Sequence, residues 1–230
     1  MKLLAFETAT EACSVAALVD GEVRERFEIA PRRHAELALP WAEALLAEAG
    51  IARAQLDAIA VGRGPGAFTG VRLAIAIAQG IALALDRPVI PVSTLAALAM
   101  QAGGEHRIAA IDARMGEVYL GLFVREGDDL RALGEEIVVA PDQAPLPEGE
   151  GWSGAGTGFA AADGALQARF AGHLTAVDTS ALPRAGDVAR LAAMAFVRGE
   201  AVAPERAEPA YLRNNVALTI AERAAQGITR

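Results

Sequence analysis

The chain has very little cysteine, lysine and histidine, and each scarcity excludes a class of site. Cys13 is the only cysteine among 230 residues, so the chain has neither an internal disulfide nor a cluster of thiolate metal ligands. Lys2 is the only lysine, and a Walker-type phosphate loop needs a lysine after its last glycine. The histidines, His34, His106 and His173, lie far apart and in different predicted elements, so we expect no metal centre built from them.

Positive charge is also in deficit. Lysine and arginine number 21 against 29 aspartates and glutamates, which gives a formal net charge of −8 and an isoelectric point near 5.0. A chain of this charge does not by itself hold the phosphate backbone of RNA or DNA, so we expect contact with nucleic acid only through partners. Charged and turn-forming residues interrupt the first apolar run, which argues against a signal peptide. We therefore expect a soluble cytoplasmic protein with no membrane span.

Hydrophobic residues make up 53% of the chain, so we expect a sizeable core, and 230 residues suit two small lobes or one large domain. The N-terminal part alternates strand-like and helix-like patterns, with a hairpin turn at Asp20-Gly21. Pro40 lies inside the first helical pattern, so that helix either begins at Leu39 or bends there. The predicted strands are 3–7, 13–19, 23–29, 56–62 and 89–92, and the predicted helices are 35–49, 69–85 and 94–102.

The most informative run is residues 62–73, Gly-Arg-Gly-Pro-Gly-Ala-Phe-Thr-Gly-Val-Arg-Leu, which follows an apolar strand and opens a helix. Gly64 and Gly66 permit a tight turn, and Thr69 is placed to cap the helix. One interpretation is an anion site, because the backbone amides at a helix start attract phosphate or carboxylate groups. The other is a strand-to-helix turn whose glycines let the helix pack closely on the sheet. The sequence leaves both open.

The helix predicted over 69–85 is apolar all round, with only Thr69, Arg72 and Gln79 clearly polar. Such a helix has no face for water, so we expect its own sheet to bury one side and another helix or chain the other. Together with the helix at 35–49 it predicts an apolar docking patch that forms a homodimer or receives a partner. His34, at the start of that first helix, equally fits a histidine without a special role. The candidate interface residues are His34, Leu37, Trp41, Leu45, Val71, Arg72, Ile75, Ala78 and Gln79.

The pattern at residues 4–16 repeats at 109–121: a strand, an acidic residue, a polar turn and a second strand. This repeat predicts a duplicated lobe, with Glu7 and Asp112 at equivalent positions flanking a cleft. The second copy is reduced to a loop at 141–151, a strand and glycine turn at 152–158 and a helix at 185–197. We predict lobes over 1–103 and 104–206, and a tail over 207–230 that returns to the first lobe and is extended, then helical. The candidate nucleotide or anion loop comprises Glu7, Thr8, Gly64, Gly66, Thr69, Gly70, Asp112 and Arg114, of which Asp112 and Arg114 equally fit a local ion pair.

This organisation resembles the actin-like ATPase (ASKHA) fold, an α/β fold of two βββαβαβα lobes, here with a reduced second lobe. Four strings are similar to the TsaB (YeaZ) family and span the whole chain in order: FETATEACSVA at 6–16, GPGAFTGVR at 64–72, IDARMGEVY at 111–119 and PAYLR at 209–213. The resemblance implies a cytoplasmic, non-catalytic partner of TsaD that works with TsaE and also forms homodimers. These proteins transfer a threonylcarbamoyl group to the adenosine beside the anticodon of tRNAs that read codons starting with A.

The resemblance also implies what this chain does not do. The catalytic paralogue carries an Asn-His-x-x-x-His metal motif after the strand that corresponds to 89–92, whereas here Thr94 and Leu98 stand where ligands are needed. We therefore expect no metal, no cofactor of its own, and nucleotide binding only weakly or at the interface with TsaD. Two alternatives stay open. One is an actin-like small-molecule kinase, although Glu7-Thr8 replaces the usual Asp-x-Gly. The other is a metal-free peptidase, although Ser153 lacks the Gly-x-Ser-x-Gly context and Cys13 is expected to be buried.

Overall fold

Two mixed β-sheets form the framework of the computed structural model, which describes residues 1–213. The strands are β1 (Lys2–Glu7), β2 (Ala12–Val19), β3 (Glu22–Ile29), β4 (Ala58–Gly62), β5 (Val89–Val92), β6 (His106–Arg114), β7 (Glu117–Glu126), β8 (Asp129–Ala132), β9 (Ile137–Val139), β10 (Trp152–Ala155) and β11 (Leu174–Asp178). The helices are α1 (His34–Glu48), α2 (Phe68–Leu85), α3 (Thr94–Ala99), α4 (Ala161–Arg169) and α5 (Ala185–Val197).

The two sheets repeat one topology. The first has the order β3-β2-β1-β4-β5, and the second has the order β8-β7-β6-β10-β11, with β9 also paired to β7. In each sheet the first three strands along the chain are antiparallel, and the last two are parallel to the first. The duplicated, two-lobed α/β fold predicted from the repeat at 4–16 and 109–121 is therefore confirmed.

The last helix of each copy packs on the sheet of the other copy. Helix α3 follows β5 but lies on β6 and β7, where Leu95 and Leu98 join a core with Phe123. Helix α5 follows β11 but lies on β1 and β2, where Val188 and Ala192 join a core with strand residues of the first sheet. The division at 104–206 is therefore wrong for α5, because the apolar face of this helix completes the first lobe.

Helices α1 and α2 cover the other face of the first sheet. Their inner residues lie in one core with Phe6 and Ile59. The outer face of α2 is exposed, with Phe68 at 67% and Leu83 at 64%, so the part of the chain that the structure describes buries only one of the two sides that we expected to be buried. By length and by a mean hydropathy of 1.7, α2 also resembles a membrane span. A core helix of a soluble protein has the same properties, and the inner face of α2 lies in the core.

The structure decides two points at the helix starts. Helix α1 begins at His34, close to the predicted start at residue 35, and continues through Pro40, so the alternative start at Leu39 is excluded. Pro40 has no amide hydrogen to donate to the carbonyl of Glu36. The helix tolerates this loss because Glu36 is exposed, so water can bond to the carbonyl instead. Thr69 does not cap α2, because the helix already begins at Phe68 and no side chain caps it.

The chain after α5 returns to the first lobe. Ala207 lies in the core beneath α1 and α2, and the amide of Ala210 donates to the carbonyl of Arg63 at 2.8 Å. Residues 207–213 form neither a helix nor a strand and pass from the first lobe to the turn between β6 and β7. The predicted helical part of the tail lies outside the described residues.

Candidate functional site

The glycine-rich loop between β4 and α2 is packed directly on the turn that follows β1. A β-carbon on Gly62, Gly66 or Gly70 would lie 1.9, 2.4 and 2.0 Å, respectively, from an oxygen atom of residues 7–9. No side chain fits at those separations, so the three glycines, spaced four residues apart, permit the close approach of the two segments. The geometry supports the interpretation of this loop as a tight strand-to-helix turn.

Hydrogen bonds also join the glycine-rich loop to the end of β1 and the turn that follows it. The hydroxyl of Thr94 accepts from the amide of Gly64 at 3.1 Å and donates to Glu7 Oε2 at 2.8 Å. The amide of Ala67 donates to the carbonyl of Ala9 at 2.7 Å. Two of the amides that an anion site at this loop would use are therefore already bonded within the chain.

Two further members of the candidate loop differ from each other in accessibility. The hydroxyl of Thr8 donates to the carbonyl of Gly70 at 2.8 Å, so the predicted residue pair is brought together but is buried. Thr69 lies at the second position of α2 and is exposed to solvent.

Glu7 is a buried acid at the centre of this contact. Its side chain is only 1% exposed, and burial raises its pKa from 4.5 to about 7, although the bonds from the amide of Ala9 and the hydroxyl of Thr94 favour the charged form. The carboxyl points into the glycine loop. The expectation that Glu7 flanks a cleft is therefore wrong, because the segment that carries it turns inward against Gly62.

A cleft of about 360 Å³ lies between the two lobes. Asp112 lines it from the second lobe, but its carboxylate is engaged locally: it accepts from the amide of Arg114 at 2.8 Å and from the Arg114 guanidinium at 2.9 Å. These two residues form the local ion pair that the sequence left open. The other lining residues are Ala9, Thr10, Glu11, Pro31, Arg32, His34, Gly66, Ala67, Ile111, Ala113, Tyr119 and Thr157.

His34 and Cys13, which are candidates for special roles from the sequence alone, both make contacts that fit an ordinary structural role. His34 is half-buried in the cleft wall, and its Nε2 lies 3.0 Å from the carbonyl oxygen of Thr10. It is therefore on the cleft side of α1 and not on an outer patch. The Cys13 thiol is buried, and burial raises its pKa to about 11, which disfavours the reactive thiolate.

The terminal segment crosses between the lobes. The guanidinium of Arg213 donates to the carbonyls of Ala113 at 3.2 Å and Arg114 at 3.3 Å, and forms an ion pair with Glu117. With the bond from Ala210 to the first lobe, residues 207–213 act as a strap across the cleft. The sequence predicts that this tail returns to the first lobe, but it contains no indication of the contact between Arg213 and the second lobe.

The nine predicted interface residues divide into four groups, of which His34 in the cleft wall is one. Leu45, Val71, Ile75 and Ala78 are buried in the core, so their assignment to an exposed patch is wrong: these sides of α1 and α2 face the sheet. Gln79 Nε2 donates to the carbonyls of residues 204 and 207 at 2.9 and 3.2 Å, so it holds the returning chain. The third group comprises the half-buried Leu37 and Trp41, together with Arg72; His34 lines the cleft, as described above.

The residues that are exposed on these helices are different ones. We name those on α2 the outer α2 surface: Phe68, Ala76, Gly80, Leu83 and Ala84. Ala76, Gly80, Leu83 and Ala84 lie at three- and four-residue spacing on the side opposite the core residues, and Phe68 lies about two helical turns before Ala76. That spacing was present in the sequence, but a helix that is apolar all round does not reveal which side faces its sheet.

Metal ligands do not gather in this region. Over residues 1–213, no three or more histidine, cysteine, aspartate or glutamate side chains lie close enough together to hold a metal ion. Thr94 is bonded to Glu7, and Leu98 is buried in the core shared by α3 and the second sheet.

Known proteins share this chain's sequence and fold. The family model described as "TsaD: tRNA N6-adenosine threonylcarbamoyltransferase" matches residues 27–221. The tRNA threonylcarbamoyladenosine biosynthesis protein TsaB of Escherichia coli is 42% identical over 94% of this chain and 96% of its own length. The protein of the same name from Haemophilus influenzae is 41% identical over 94% and 95%. The structure of YeaZ from Pseudomonas aeruginosa, 48% identical, superimposes with a TM-score of 0.86 over 92% of this chain and 99% of that one.

A second Pseudomonas aeruginosa structure, described as an uncharacterized protein with similarity to peptidase YEAZ, is 47% identical, with a TM-score of 0.85 over the same shares of both chains. The identities and coverage extend over nearly the whole molecule, including both sheets and the glycine loop. This chain belongs to the TsaB (YeaZ) family, whose members from E. coli and H. influenzae are named as tRNA threonylcarbamoyladenosine biosynthesis proteins.

Proposed function

We propose that this chain is a non-catalytic subunit that binds and activates TsaD, working with TsaE in the cytoplasm. The reaction transfers a threonylcarbamoyl group to the adenosine beside the anticodon of tRNAs that read codons starting with A. The names of the E. coli and H. influenzae relatives support the pathway. The role of binding subunit rests on one observation, the outer α2 surface.

The outer α2 surface has the properties of a helix-docking site. Phe68 and Leu83 project from it, and between them a β-carbon at Gly80 would meet nothing within 4 Å. Glycine in the middle of a helix costs about 1 kcal/mol relative to alanine. Among residues 1–213 no neighbour requires a glycine at that position, whereas a second helix that approached closely would benefit from the small residues Ala76 and Gly80.

The same surface accounts for both assemblies in the proposal. Isologous packing of two outer α2 surfaces gives a homodimer of this chain, and TsaD docks on the surface in its place. The heterodimer then stabilises the active conformation of TsaD, because a partner that binds one conformation more tightly shifts the population toward it. With a net charge of −8, this chain leaves the main contacts with tRNA to the other subunits.

We assign the catalysis of the transfer reaction to TsaD. Thr94 and Leu98 replace metal ligands in this chain, and both side chains are committed to internal contacts. Nucleotide binding is assigned to the interface with TsaD, because the amides of Gly64 and Ala67 already donate to the hydroxyl of Thr94 and the carbonyl of Ala9. The kinase and peptidase alternatives gain no support from the inward orientation of Glu7 or the raised pKa of Cys13.

Light-scattering chromatography of this protein alone, and then mixed with TsaD from the same organism, tests the proposal. We expect a homodimer that converts to a one-to-one heterodimer. Leu83→Glu should prevent both assemblies, because it places a charge in the apolar surface. Leu146→Glu is the matched control, since Leu146 is 54% exposed on the second lobe. A monomer that does not bind TsaD would contradict the proposal, and turnover of ATP with magnesium by that monomer would favour the kinase alternative.

A further inference from the structure

An arginine lies between two exposed aromatic rings at the N-terminal end of α2. The guanidinium carbon of Arg72 is 3.2 Å from the ring centre of Phe68 and 4.8 Å from that of Tyr211, on the strap. Its Nη1 also donates to the carbonyl of Phe68 at 3.4 Å. The Tyr211 side chain is 53% exposed, and Phe68 is more exposed still, so the stack faces solvent. The two rings fix the plane of the guanidinium.

Among the described residues, no carboxylate matches the charge of this arginine. Within residues 1–213, no carboxylate oxygen lies within 4.0 Å of the Arg72 guanidinium. The neighbouring arginines differ in this respect, because Arg114 pairs with Asp112 and Arg213 pairs with Glu117. Arg72 thus has a fixed orientation and an available charge.

The stack borders an apolar pocket and continues the outer α2 surface. The pocket has a volume of about 260 Å³, and Phe68, Val71, Tyr211 and Leu212 line it together with residues of the second lobe. Phe68 belongs to both the stack and the outer α2 surface. A protein docked along α2 therefore meets the rings, the arginine and the pocket in one continuous contact.

We infer that Phe68, Arg72 and Tyr211 form a hot spot that receives a carboxylate side chain of the partner protein docked on the outer α2 surface. An apolar side chain next to that carboxylate enters the pocket. A planar guanidinium held by aromatic rings pairs with a carboxylate through two parallel hydrogen bonds, and arginine and tyrosine are typical of interface hot spots. An RNA phosphate is the less suitable occupant because the chain carries a net charge of −8. The inference rests on the proposed function, since the partner is TsaD.

The test measures the affinity of purified full-length chain for TsaD across a range of salt concentrations. Arg72→Gln should weaken binding about 30-fold or more and flatten its salt dependence, because it leaves the partner's carboxylate unpaired in the interface. Arg72→Lys should recover only part of the affinity, because an ammonium group lacks the planar fork. Tyr211→Ala keeps the charge and removes one ring, and it should weaken binding several-fold. Arg131→Gln, on the outer strand β8, is the control for the loss of one positive charge.

Each result decides the inference separately from the proposed function. If the unaltered chain does not bind TsaD, the proposed function fails first. If it binds and Arg72→Gln binds equally well, or if Arg131→Gln weakens binding to the same degree, the hot spot is wrong while the binding role stands. Full affinity of Arg72→Lys would also overturn it, because charge alone would then suffice. The inference would also be overturned if the isolated chain bound tRNA and if Arg72→Gln abolished that binding without weakening the binding of TsaD.

Discussion

The carboxyl group of Glu7 lies against the α-carbon of Gly62, so closely that a β-carbon at position 62 would be 1.9 Å from Glu7 Oε2. This contact joins the end of β1 to the end of β4, which are neighbouring parallel strands. Thr94 extends the contact by bonding both to Glu7 and to the amide of Gly64. Glycine is therefore required at position 62 by packing against a buried acid, and at positions 66 and 70 by packing against the carbonyls of Ala9 and Thr8.

Gly62→Ala should destabilise the protein by about 1–3 kcal/mol, the usual cost of forcing a methyl group into a packed site. The buried carboxyl of Glu7 has to move, and its bonds to Thr94 and Ala9 are lost with it. Urea denaturation at pH 7 measures the effect. Gly103→Ala is the matched control, because a β-carbon at Gly103 meets nothing within 4 Å. Equal stability of the two variants would show that the contact is looser than the structure indicates.

Glu7 should make the free energy of unfolding depend on pH between about 4.5 and 7. Its pKa is 4.5 when solvated and about 7 in the folded protein, so the folded state binds the proton more tightly. The stability contribution of this group is fully present below pH 4.5 and is lost as the pH rises through 7, by roughly 3 kcal/mol in total. Glu7→Gln, which mimics the protonated acid, should remove this decline.

The measurement is urea denaturation of Glu7→Gln and the unaltered chain at several pH values from 5 to 8. The difference between the two proteins cancels the titration of all other groups. We expect the variant to gain stability relative to the unaltered chain as the pH rises. Parallel pH profiles would mean that Glu7 titrates near its ordinary pKa, and hence that water reaches the carboxyl.

The sequence predicted the elements well because their signals are local. The helix predicted at 185–197 and the strand at 89–92 have the bounds of α5 and β5, since apolar periodicity and flanking turn residues determine both ends. The duplicated topology followed from the repeated strand, acid, turn and strand. The packing of α5 on the first sheet did not follow, because the contact of Val188 with that sheet joins segments that are far apart in the chain.

The candidate site was harder to predict for a physical reason. The period of an amphipathic helix identifies its buried side only when the other side is polar. Helix α2 is apolar on both sides, so its sequence pattern does not distinguish the buried Ile75 and Ala78 from the exposed Ala76 and Leu83. The roles of Arg213 and Tyr211 depend on where the strap crosses the cleft, and the sequence contains no local signal for that path.

Glu25→Ala should detach the start of α5 from the first sheet. Glu25 accepts from the hydroxyl of Ser14, the amide of Gly186 and the guanidinium of Arg184, each at 2.8 Å. Removing the carboxylate leaves these donors without their partner, and we expect a loss of about 2–3 kcal/mol in the free energy of unfolding. Glu22→Ala on the same strand is the control, since Glu22 is exposed and pairs only with Arg24. A similar effect of both substitutions would contradict the proposed importance of the network.

Arg213→Ala should release the strap from the second lobe. The guanidinium bonds to two carbonyls and to Glu117 at the turn between β6 and β7, so its removal leaves these acceptors to water. We expect faster hydrogen exchange at amides 113–117 and a stability loss of about 1–3 kcal/mol. Arg206→Ala, an exposed arginine on the same terminal segment, controls for the lost charge. Unchanged protection at 113–117 would mean that the turn is held without the strap. Faster exchange together with weaker TsaD binding would link the lobe junction to the stack at Tyr211, because one strap carries both side chains.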